Sequence, residues 1–162
     1  MPFVYRLQLL LEQREAALEE AQRNLGAMIA GLEEAKRTLG ALEQAASVAV
    51  KVHAEAANSF GAVAQEPMTG AQMMERVERV RGLLREANLA KDEVLEQKIA
   101  VQDAEDLVEE SRTKLADAMR AVEVLRKHRS RAQEKYRRGE EQREAGEMDE
   151  AGMVQFNRGR NA

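Results

Sequence analysis

Few side chains in this sequence are equipped for covalent or acid–base chemistry. Its 162 residues hold no cysteine and two histidines, His53 and His128, one in each half of the chain. Without thiols there are no disulfides, thiolate zinc sites or iron–sulfur clusters, and a reducing compartment is expected. Neither imidazole has a companion ligand at helical spacing, and no His-Glu-x-x-His, glycine-rich phosphate loop or Gly-x-Ser-x-Gly occurs. Adjacent acids stand at Glu19-Glu20, Glu33-Glu34 and Glu109-Glu110. Such carboxylates become general acids or bases when burial retunes them; on a solvated helix face they stay ordinary. The expectation is a protein that is not an enzyme and uses no metal or cofactor.

Binding chemistry remains. Arg126, Lys127, Arg129, Arg131, Lys135, Arg137 and Arg138 set seven cations against the single acid Glu134. Acids follow at Glu140, Glu141, Glu144, Glu147, Asp149 and Glu150. Two readings stay open: a solvated helix whose charges pair three and four apart, or a docking end steered into an acidic partner and anchored by Phe3, Tyr5 and Tyr136. Nucleic acid is not an expected partner. The net charge is −4, and the basic run follows the apolar repeat and gives way to acids, the reverse of a leucine-zipper basic region. Met73 and Met74 offer either a soft binding surface or the first seam residue of a helix.

These groups must be positioned by helices. The chain is 44% hydrophobic yet only 3% aromatic, without tryptophan, which is too little bulk for a thick core and typical of coiled coils. Val4, Leu11, Leu18, Leu25, Leu32, Leu39, Ala46, His53 and Phe60 recur at seven-residue spacing. Three residues further on run Leu7, Arg14, Ala21, Met28, Ala35, Leu42, Ala49 and Ala56, completing an a/d seam. A second ladder runs from Met73 through Val80, Ala87, Val94, Val101, Val108 and Leu115 to Val122, with a companion column of Leu83, Ala90, Gln97, Ala104, Ser111, Ala118 and Leu125. Between the ladders, Gly61, Pro67 and Gly70 break the helix, and Thr69-Gly70-Ala71-Gln72 has capping-box spacing.

The expected fold is all-α: a long two-helix antiparallel coiled-coil hairpin over 1–138, with helix one at 3–60, a turn at 61–69 and helix two at 70–138. Helix one would be roughly 87 Å long. Gly139, Gly146, Gly152 and Gly159 punctuate 139–162, expected to be a flexible, charged C-terminal tail. The opening residues lack the pattern of a secretory signal, and the uncharged stretch from Ala56 to Gln65 is too short to span a bilayer.

Phe3-Val4-Tyr5-Arg6-Leu7-Gln8-Leu9-Leu10-Leu11-Glu12-Gln13-Arg14-Glu15 resembles the start of the flagellar export protein FliJ and its injectisome counterparts. Glu147-Met148-Asp149-Glu150-Ala151-Gly152-Met153-Val154-Gln155-Phe156-Asn157-Arg158 resembles the acidic-then-apolar end of that family. The resemblance implies a non-catalytic central stalk of the type III export ATPase, cytoplasmic and peripheral to the inner membrane at the secretion apparatus. Its partners would be a hexameric export ATPase, whose ring assembly it promotes, a membrane export-gate protein and export chaperones. On this implication Tyr5, Leu10, Arg14, Arg131, Tyr136 and Arg137 face the ring, and His53, Phe60, Met73, Val80 and Leu84 face the gate. Phe60 stands alone near the turn, where many flagellar members carry several aromatics; that departure points to the injectisome branch, while the remainder leans flagellar. From the residues alone, a homo-oligomeric coiled-coil scaffold is the alternative.

If the chain doubles back near Pro67, spin labels at Leu18 and Leu115 lie within direct dipolar range of each other in an isolated molecule. Labels many nanometres apart would refute the hairpin.

Overall fold

The computed structural model describes residues 3–63 and 67–160, with the side chains of Val63 and of residues 155–160 excluded. Two helices account for almost all of it: α1, Gln8–Val63, and α2, Gly70–Arg160. No strand occurs among the described residues. Two compact units can be distinguished, residues 1–23 with 113–162 and residues 24–112. In each, a stretch of α1 pairs antiparallel with a stretch of α2.

Pro67, Met68 and Thr69 are non-helical, and α2 begins where the capping box places it. The Gln72 backbone N–H donates to Thr69 Oγ1 at 3.3 Å, and the Thr69 N–H donates to Gln72 Oε1 at 3.1 Å. Two backbone donors that a helix start would leave unpaired are thereby satisfied. Residues 64–66 of the expected turn lie outside the described residues.

In the second unit the register follows from groups that reach across the seam. Lys36 Nζ lies 2.8 Å from Glu105, and Lys98 Nζ lies 3.3 Å from Glu43. One heptad forward on α1 is matched by one heptad backward on α2, which is the mark of antiparallel pairing. Gln97 Nε2 donates to the Ala35 carbonyl at 3.0 Å, so the polar residue of the small-residue column finds a backbone acceptor inside the seam. Ala46 and Ala87 are 8% and 2% exposed. A methyl group is buried that deeply only where the facing backbone approaches closely.

In the first unit the core is Tyr5, Leu11 and Val122, with Phe3, Leu18, Leu125 and Ala132 packed against it. Arg126 joins Glu15 through Nε at 3.0 Å and Nη2 at 2.7 Å, on the same heptad column as the pairs of the second unit.

The N-terminal seam differs from the expected one. Residues 3–7 are not part of α1, because Phe3 and Tyr5 leave the helical path to pack on α2. Val4 and Leu7, expected in the seam, are 78% and 38% exposed, and Arg14 is exposed while Glu15 is half-buried. At the other boundary α1 continues past Phe60 to Val63, and α2 continues past Arg138 to Arg160. Gly139 and Glu140 are the last half-buried positions among the described residues; from Glu141 to Val154 every residue is exposed. That stretch stands outside the paired core, as its glycines imply, and its helical form is supported by the ion pairs Arg137–Glu141 at 3.4 Å and Arg143–Glu140 at 2.5 Å.

Replacing Ala87 with Leu should overfill the seam and destabilise the protein by about 1–3 kcal/mol. Urea unfolding of the variant, compared with Leu89→Ala at an exposed position on the same helix, measures the difference.

Candidate functional site

The first unit contains most of the described aromatic and cationic side chains. Its construction starts from the residues preceding α1. The Gln8 N–H donates to the Tyr5 carbonyl at 3.1 Å, a turn that aims the Tyr5 ring at α2. Tyr5 is 7% exposed; its hydroxyl donates to the Leu125 carbonyl at 3.3 Å and pairs with His128 Nδ1 at 2.9 Å. The two rings are tilted with centroids 5.7 Å apart. Phe3 meets Tyr136 at 5.6 Å, also tilted, in the edge-inclined geometry that aromatic quadrupoles favour. A long α2 therefore carries a short clasp contributed by the start of the chain.

Around that clasp lies a shallow groove of about 360 Å³, lined by Phe3, Gln133, Tyr136, Arg137 and Glu140 among others. A second groove, of about 390 Å³, is lined by Leu10, Arg14, Arg120, Val124 and Leu125. Arg129, Arg131, Lys135 and Arg138 are exposed. Other cations of the run are held on the helix surface: Lys127 Nζ reaches Glu123 at 2.6 Å. The hydrogen bond and charge of Lys127 hold the Glu123 carboxyl below the ordinary carboxylate range. This pairing is present above that range and is lost as the pH falls through the lowered value.

The residues that the resemblance assigns to a ring contact all fall within the first unit, with different exposures. Leu10 is 37% exposed, Arg14, Arg131 and Arg137 are exposed, and Tyr136 is half-buried. Tyr5 is a buried tie rather than a surface anchor. The residues that the resemblance assigns to a gate contact fall in the second unit. His53, Phe60 and Val80 are half-buried, and Met73 and Leu84 are 37% and 44% exposed. Phe60 and Val80 share a groove with Arg76 and Arg79. The pattern places Met73 in the seam, whereas Val77, one turn later, is half-buried and Met74 is 62% exposed. Helix pairing closer to the turn is thus shallower than the ladder implies.

No cluster of His, Cys, Asp and Glu suited to a metal occurs among the described residues. No helix among them is long and apolar enough to cross a membrane. Two features escaped the sequence reading: the His128–Tyr5 pairing, and a second apolar stripe on α1 formed by Ala41, Ala45, Val48 and Val52. The stripe was readable in principle from its i, i+4, i+7, i+11 spacing. The pairing was not, because it joins residues far apart in sequence.

Residues 2–161 match the family described as YscO-like protein. The chain belongs to the YscO-like family. That family is associated with type III secretion and supplies structural components of the secretion apparatus. The fold of this YscO-like chain is similar to a solved structure described as a YscO homolog from Chlamydia trachomatis, with a TM-score of 0.82 and 16% identity over 96% of each chain. At that identity the likeness concerns fold alone. No curated protein matches the sequence.

Tyr5→Phe should destabilise this YscO-like chain by about 1 kcal/mol through the lost hydroxyl bonds, read by thermal unfolding. Lys127→Gln should raise the titration midpoint of Glu123, followed by the carboxyl carbon resonance; an unmoved midpoint would remove Lys127 as the cause.

Proposed function

We propose that this YscO-like chain is a non-catalytic central stalk of the type III export ATPase. In this reading the first unit enters the hexameric ring and promotes its assembly, and the turn-proximal part of the second unit meets the membrane export gate. The observation that carries it is the family match across residues 2–161. The surface of the first unit supports it: exposed Arg137 lines a groove with the half-buried Tyr136, and Arg14 and Arg131 are exposed elsewhere on the same unit, a combination of steering charge and anchored ring. Tyr5 contributes by fixing the start of the chain against Leu125 and His128, so the contact surface is organised before a partner arrives.

The ring contacts in this reading are Leu10, Arg14, Arg131, Tyr136 and Arg137, with Tyr5 beneath them. Phe60, Met73, Val80, Leu84 and His53 form the gate-facing set. Of the flagellar and injectisome branches, the YscO-like match and the single aromatic near the turn favour the injectisome. The place of action is then the cytoplasmic face of the inner membrane, with export chaperones as further partners.

Because exposed cations contribute little to folding, they can be reversed without unfolding the chain. Arg131→Glu combined with Arg137→Glu should lower recovery of the hexameric export ATPase about tenfold in a pull-down at moderate salt, with thermal stability unchanged. Undiminished recovery would remove this surface from the ring contact; no recovery by the unaltered chain would remove the stalk reading itself.

A further inference from the structure

From Gln44 to Ala54, α1 reads Gln-Ala-Ala-Ser-Val-Ala-Val-Lys-Val-His-Ala, with Lys51 its one charged residue. Pairing with α2 covers a single face of this stretch. Ala46 is buried and Ala49 and His53 are half-buried, but Val48, Val50 and Val52 remain 56%, 36% and 41% exposed. Gln44, Ser47 and Lys51 form one narrow polar stripe at i, i+3, i+7 spacing, and the valines lie to either side of it, a wider apolar surface than pairing with one neighbour requires. Val50 lies on one flank with Val94 and Leu95, and Val48 and Val52 lie on the other, so apolar surface is left uncovered on both sides of the helix pair.

One flank of this stretch has the form of a receptor. Small side chains at Ala46 and Ala87 let the two helices approach, and a groove of about 600 Å³ runs beside them, floored by Ala46 and Val94 and walled by Val50 and Leu95. Leu95 is 59% exposed and Val94 only 9%, so the wall is offered to solvent while the floor is set by the seam. Lys51, Lys91 and Lys98 stand at its edges with the single acid Glu43. Glu43 is engaged with Lys98 at 3.3 Å; Lys51 and Lys91 are exposed, and neither has an ion pair among the described residues. The rim thus carries an uncompensated positive charge on both helices.

We propose that this groove receives an amphipathic helix of a partner protein, its apolar stripe seated on Ala46 and Val94 and its flanking carboxylates at Lys51 and Lys91. Charge decides against a second copy using the same patch. A two-fold contact would repeat the groove on both sides and bring two net-positive rims together. The span from Glu43 to Lys51 accommodates roughly two turns of helix, enough for an i, i+3, i+4, i+7 set of anchors. The groove lies outside both residue sets assigned to the ring and the gate, so its occupation is independent of the stalk reading. The opposite flank, lined by Ala45, Val48, Val52, Leu83 and Glu86 in a space of about 570 Å³, has no lysine at its rim and serves as the internal control.

The test is a fluorescence-anisotropy titration of the full chain into a labelled synthetic helix carrying leucine at heptad a and d positions and glutamate at the flanking ones. Saturable binding at micromolar concentrations is expected. Val50→Asp, and separately Lys51→Glu with Lys91→Glu, should each weaken it about tenfold, whereas Val48→Asp on the opposite flank should not. A helix with lysine in place of glutamate should bind about tenfold more weakly than the glutamate version. Absence of saturable binding, equal binding of the two peptides, or equal loss from Val48→Asp would overturn the proposal. So would concentration-dependent dimerisation in sedimentation that Val50→Asp abolishes, which would make a second copy the occupant. Circular dichroism of each variant confirms that the helices are retained.

Discussion

The structure depends on mutual concealment: each helix carries a narrow apolar stripe that only the other hides. In α1 the half-buried and buried positions follow Leu11, Leu18, Leu25, Leu32, Leu39, Ala46, His53 and Phe60, and in α2 they follow Val80, Ala87, Val94, Val101, Val108, Leu115 and Val122. Few of these side chains are fully enclosed, as two helices cannot surround anything. Deep burial is confined to places where geometry favours it, such as Leu11 and Val122 at 1% and 2% exposure beside Tyr5, and Ala87 at 2%. Stability therefore accumulates from many partly covered contacts rather than from a centre, and most of the surface is left available for partners.

That allocation explains why the candidate site is a surface without a cleft. Beside the Phe3–Tyr136 contact and the Tyr5–His128 tie, the chain offers unburied cations, and neighbouring carboxylates meet them mainly as exposed pairs. Those pairs contribute little to folding, and their value lies in the field they present. In the proposed reading, recognition rests on charge and half-buried rings, with the Tyr5–His128 tie holding residues 3–7 against α2.

The helical class, the break at Pro67 and the Thr69–Gln72 cap were legible because each follows from local rules: heptad spacing, the missing proline N–H, and a side chain reaching three residues back. The seam columns were legible from Leu11 onward for the same reason. What preceded Leu11 was not. Val4 continues the period perfectly, yet Tyr5 is the buried residue, because its hydrogen-bond partners, the Leu125 carbonyl and His128 Nδ1, are supplied by the distant half of the chain and outweigh one valine's place in a repeat. Met73 shows the same limit near the turn, where periodicity identifies a face but cannot say how closely the partner approaches it.

Along the column flanking the seam, the charges change sign: Lys36 faces Glu105, then Glu43 faces Lys98. Slide one helix by a heptad and Lys36 meets Lys98 in one direction, or Arg112 with Glu43 against Glu105 in the other. The apolar layers object as well, since the register set by Gln97 and Ala35 places Leu42 level with Ala90 and Ala49 level with Leu83; displacement stacks leucine on leucine or opens a void between alanines. Each like-charged encounter costs only about 0.2–1 kcal/mol, but they act together with the mismatched layers. Helix sliding, by which some paired helices carry a conformational message lengthwise, is thereby disfavoured in the second unit, and a mechanical input there is better transmitted by the pair moving as one piece.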